Sequence, residues 1–111
     1  MIDLYKENAK SLGVEFNDDE YTDKLLASTD MGNVSAICPS IHPLFKIKTD
    51  APNHNHGFTK ASGSAENQAP ALNSAKSMAM TVVDIICRPG TMDKIKECFE
   101  KSQLSNPKEK I

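Results

Sequence analysis

The sequence predicts an α/β fold, and three observations carry that expectation. Positions 72–86 form a long amphipathic stretch, positions 2–12 form a shorter one, and two brief runs at 14–16 and 44–48 alternate apolar with polar residues. Helical spacing and strand alternation following one another along 111 residues fit a single small layered unit or part of a larger one. About two to four short strands and about three or four helices are expected.

The first helix follows from Ile2, Tyr5, Ala9 and Leu12, which recur at helical spacing, and Gly13 offers the left-handed residue that ends it. Val14-Glu15-Phe16 then alternates as a short strand, and Asn17-Asp18-Asp19-Glu20 makes an acidic turn. Ser28-Thr29-Asp30 supplies oxygens able to accept the free N–H groups of a helix start, so a short helix is expected over 34–37, stopped by Pro39. Leu44-Phe45-Lys46-Ile47-Lys48 reads as the main sheet strand. Pro52-Asn53-His54-Asn55-His56-Gly57 is rich in turn residues and places two histidines on a loop just past that strand. Leu72, Ala75, Ala79, Val82, Val83 and Ile86 mark the longest helix, expected to lie against the sheet, with Pro70 delaying or kinking its start. Arg88-Pro89-Gly90 breaks it, Thr91 caps a last helix carrying Ile95 and Phe99, and 105–111 is a flexible tail.

Composition narrows the function classes. A formal charge of −2 with lysine and glutamate interspersed gives no basic footprint for nucleic acid or a membrane surface. No run approaches the ~20 apolar residues of a membrane span, and nothing at the N-terminus reads as a signal peptide. Cys38, Cys87 and Cys98 are odd in number and widely spaced, which points to a reducing, cytoplasmic setting.

Histidine and cysteine supply the only candidate metal chemistry. Cys38, His42, His54 and His56 together would make a self-contained zinc set, but their spacing matches no closed finger pattern. The plainer reading makes them loop residues, and makes Cys38 a buried thiol. Met78 and Met80 read as packing residues on and beside the helix stripe.

Four segments, in order, carry a resemblance. They are Ser28-Thr29-Asp30-Met31-Gly32-Asn33-Val34-Ser35, Pro39-Ser40-Ile41-His42-Pro43, Asn53-His54 with Phe58, and Ala75-Lys76-Ser77-Met78-Ala79-Met80-Thr81. Together they resemble the C-terminal end of the M-twenty metallopeptidase family, and most of all its Xaa-Arg (β-alanyl-lysine) dipeptidase group. The resemblance implies a three-layer zinc-peptidase-like α/β catalytic domain, of which residues 1–104 are the segment after the lid domain, with the lid and the N-terminal half absent. It implies hydrolysis of amide bonds in dipeptides or N-acyl amino acids by a pair of divalent metal ions, zinc foremost. Such a pair lowers the pKa of a bridging water while a carboxylate takes its proton.

In that family the histidine four positions before a Phe or Tyr in the last loop is a metal ligand, so the resemblance makes His54 the ligand here. It places Asp30, Asn33 and His42 along or behind the substrate cleft, and leaves His56 a competitor or a neutral variant. The general base and the other ligands belong upstream, so the chain is expected to be a fragment, inactive alone, with a homo-oligomer allowed. The alternative is a non-catalytic binding or interaction module derived from the same family.

Overall fold

The structure, a computed structural model, describes residues 1–16 and 28–105. In order these form α1 (Ile2–Ser11), α2 (Met31–Ile37), α3 (His56–Ser62), a 3₁₀ turn (Ala65–Asn67), α4 (Gln68–Cys87) and α5 (Thr91–Ser105). The expected α/β class, and with it the three-layer domain, is overturned: every regular element among the described residues is helical. The acidic turn at 17–20 and positions 106–111 of the tail lie outside the described residues.

Both expected strands are irregular chain without a ladder. A strand is stable only when a neighbour takes up its backbone N–H and C=O groups, and alternation of side chains does not supply that neighbour. In the 44–48 run Leu44 and Phe45 are both exposed, so the alternation buries neither face. What holds its end is a side chain. Asn67 Oδ1 accepts the N–H of Lys48 at 2.7 Å, and Asn67 Nδ2 donates to the Lys48 carbonyl at 3.2 Å.

Helix α1 ends as expected. Gly13 sits at φ +79°, its N–H bonds the Lys10 carbonyl, and the N–H of Val14 reaches back to that of Ala9, both at 3.0 Å. That pair of bonds is the Schellman closure, which satisfies two orphan carbonyls and needs a left-handed residue at its corner. Beyond it the Phe16 ring meets Tyr5 edge-on at 6.3 Å, with Lys6 Nζ 5.8 Å from the Phe16 centroid.

Helix α4 starts at Gln68, before Pro70 rather than after it. The proline lies in the first turn, where its missing N–H removes no helical bond. At the other end Gly90 takes φ +73°, and Thr91 is the first residue of α5 rather than its cap. Helix α5 runs on through Ser105, which was expected in the tail.

The core sits between α1 and α4, and it is made largely of small and polar groups. Ala9 and Ser77 are both completely buried, which lets the two helices approach closely. Around them Tyr5 Oη and Ser74 Oγ lie 3.3 Å apart, and Asn8 Nδ2 donates to Thr81 Oγ1 at 3.3 Å and to Asp84 Oδ2 at 2.8 Å. Thr81 Oγ1 in turn donates to the Ser77 carbonyl at 2.7 Å. Arg88 closes the network by donating to Asp84 Oδ1 at 3.0 Å and lying 3.6 Å from Glu7. The predicted apolar stripe of α4 is therefore not the buried one: Ser74, Ser77 and Thr81 face α1, while Leu72, Val82, Val83 and Ile86 are exposed.

Candidate functional site

The loop between Lys48 and α3 carries His54, and its shape is set by short local bonds. Thr49 Oγ1 accepts the N–H of Ala51 at 3.1 Å, bending the chain after the 44–48 run. His54 then takes φ 62°, alone among the described non-glycine residues in the left-handed region. Asn55 returns to extended backbone and caps α3, its Oδ1 accepting the N–H of Gly57 at 2.7 Å. The two histidines thus part company: His54 stands at the corner of the loop, and His56 is the first residue of a helix that was expected to be loop.

Gly57 is there because of close approach. A Cβ at this position would stand 2.9 Å from the Ala51 Cβ and 3.2 Å from Asn55 Oδ1, so the loop folds over α3 only with glycine beneath it. The far side is fastened by Asn67, only 2% exposed, whose Nδ2 also donates to the Ala61 carbonyl at 3.0 Å. One carboxamide therefore ties the residue where the loop begins to the helix where it ends. Nothing in the spacing of the sequence pointed to Asn67; its position next to a helix start was the sole available signal.

Asp30 precedes α2 but its side chain makes no capping bond; Thr29 does the work of the turn, its Oγ1 accepting the N–H of Met31 at 3.0 Å. Asn33 is exposed on α2, and His42 is exposed in the irregular chain after Pro39. Cys38, expected to be buried, is exposed at the end of α2, with its Sγ 3.4 Å from the Val34 carbonyl. A buried thiol needs surrounding core, and α2 has no buried residue. A cleft of about 530 Å³ opens among the start of α1, the segment after α2 and α5, lined by Leu4, Pro39, Ile95 and Phe99. None of Asp30, Asn33, His42 and His54 lines it.

Among the described residues no three His, Cys, Asp or Glu side chains come together to hold a metal ion. Cys38, His42, His54 and His56 are therefore not a self-contained zinc set, since zinc takes three or four protein ligands. No helix of the described residues is long and apolar enough to cross a membrane.

No family model matches the chain, and no solved structure matches it. Two curated relatives do. Xaa-Arg dipeptidase of Mus musculus is 43% identical over 111 residues, covering 96% of this chain and 26% of that protein. Xaa-Arg dipeptidase of Homo sapiens is 43% identical over 97 residues, covering 86% of this chain and 22% of that protein. The chain spans about a quarter of the length of these relatives. Identity at that level along nearly the whole chain bears out the dipeptidase resemblance, and this protein is homologous to one segment of Xaa-Arg dipeptidase.

Proposed function

We propose that this chain is the segment of a metal-dependent dipeptidase or amidohydrolase that brings one ligand, His54, to a divalent metal centre, with Asp30, Asn33 and His42 serving the substrate cleft. The observation that carries the reading is the His54 corner itself. Its imidazole is exposed on a left-handed residue, in a loop fastened at both ends by Asn67. Strained backbone persists where the surroundings over-determine it, and such positions gather at sites that present a group. The remaining ligands and the general base lie on polypeptide that this segment does not contain, so the isolated chain has no hydrolytic activity. The substrates are dipeptides or N-acyl amino acids, zinc is the metal, and three unpaired cysteines suit the cytoplasm.

The test is a chimera in which these residues replace the matched segment of the mouse dipeptidase. It retains metal-dependent hydrolysis of dipeptides, and His54→Ala removes both the activity and part of the bound zinc, measured by elemental analysis. A chimera whose activity and zinc content are indifferent to His54→Ala overturns the reading.

A further inference from the structure

The two ends of the segment that carries His54 are held unequally. At the α3 end the Asn67 bond to the Ala61 carbonyl is backed by Gln68, whose Nε2 donates to the Ser62 and Ser64 carbonyls, both at 3.1 Å. The entry end has no such support. Among the described residues the N–H and carbonyl of Lys48 bond only to the Asn67 carboxamide, at 2.7 and 3.2 Å. The Lys48 ammonium does meet Glu66 at 3.1 Å, but those side chains are 82% and 56% exposed, and a pair so open to water adds little. Asn67 is 2% exposed and spends both of its polar atoms on this segment, yet none of its bonds goes to His54 itself. A buried carboxamide with every bond directed at the flanks of one exposed histidine governs how that histidine is presented.

We infer that Asn67 is a positioning residue for His54: it fixes the path by which the chain enters the His54 corner, and through that corner it sets how tightly the metal is held. The inference rests on the proposed function, which makes His54 a ligand. A ligand that must be ordered as it binds loses part of its binding free energy to that ordering, whereas one already held in place does not. Partners that hold a metal ligand from outside are worth about 10- to 100-fold in affinity. Asn67 acts through backbone rather than on the imidazole, so the lower figure, about tenfold, is expected here. The effect is confined to His54. Asp30, Asn33 and His42 precede Lys48 in the chain, and none of the Asn67 bonds reaches them.

Zinc titration of the metal-free mouse chimera against a chelating indicator tests it, in the parent, Asn67→Ala, His54→Ala and the double variant. Asn67→Ala weakens, about tenfold, the zinc that His54→Ala abolishes. Any zinc that survives His54→Ala is bound equally well with and without Asn67, because the carboxamide acts only through that imidazole. Asn67→Asp keeps the size of the side chain but cannot donate to the Lys48 and Ala61 carbonyls, and it weakens the same zinc. It carries the test where the alanine variant yields no folded chimera by circular dichroism. Parental zinc affinity in the folded Asn67 variants overturns the inference. Weakening of the zinc that survives His54→Ala overturns it too, since that makes Asn67 a general support of the fold. Zinc released by His54→Ala but not by either Asn67 variant sinks this inference alone. Zinc binding indifferent to His54→Ala sinks the proposed function, and this inference with it.

Discussion

The Asn67 carboxamide pairs with the backbone of Lys48 as a neighbouring strand would, accepting its N–H at 2.7 Å and donating to its carbonyl at 3.2 Å. The same nitrogen reaches the Ala61 carbonyl, so nineteen residues of chain, His54 among them, are held by one buried side chain. Asn67→Ala leaves these backbone groups without partners at a site that is 2% exposed. It is expected to cost about 2 to 3 kcal/mol in chemical denaturation. Limited proteolysis checks the local effect: cleavage within 49–60 appears in the variant before cleavage of α4 does.

Gly57 and Ala51 make the second constraint on that loop. Gly57→Ala adds a methyl 2.9 Å from the Ala51 Cβ, where backbone on both sides resists movement. The substitution gains about 1 kcal/mol of helix propensity in α3, yet overpacking of this kind costs about 1 to 3 kcal/mol. The net expectation is a lower unfolding midpoint. Gly57→Ala combined with Ala51→Gly removes the clash and recovers the loss, which a thermal melt of both variants checks.

At the left-handed positions Gly13 and His54 glycine is favoured over alanine. Gly13→Ala forces a Cβ into φ +79° and loses about 1 kcal/mol or more, read as a shift in denaturation midpoint. His54→Gly relieves the same kind of strain at φ 62° and lowers stability by less than His54→Ala does. Both His54 variants lose zinc in the chimera. A larger stability loss for His54→Gly than for His54→Ala contradicts the strained corner.

Ala9 and Ser77, on the two packed helices, are both fully buried and have no room for growth. Ala9→Leu is expected to separate α1 from α4 and cost about 1 to 3 kcal/mol, while Tyr5→Phe, which removes only a 3.3 Å hydroxyl pair, costs about 1 kcal/mol or less. Denaturation of the two variants side by side checks the order. Arg88→Ala has a small effect, because its own side chain is half exposed and its ion pairs are screened by solvent.

Several features of this protein were decided by its sequence alone. Gly13 stops α1, the turn before Met31 starts α2, the apolar period from Leu72 to Ile86 makes a helix of α4, and the order of motifs discloses the dipeptidase homology. These are local effects: a left-handed residue, a hydroxyl near free N–H groups and a 3.6-residue period act within one or two turns of chain. Tertiary structure decided the rest. The alternating runs at 14–16 and 44–48 form no strand, because a ladder needs a partner that alternation cannot specify. Periodicity located the apolar face of α4 but not what it meets, and a helix with a usable face on either side is oriented only by its neighbours. Here α1 presents Tyr5, Asn8 and Ala9, which match the hydroxyls of Ser74, Ser77 and Thr81, and so the polar side is buried and the apolar side is left outward.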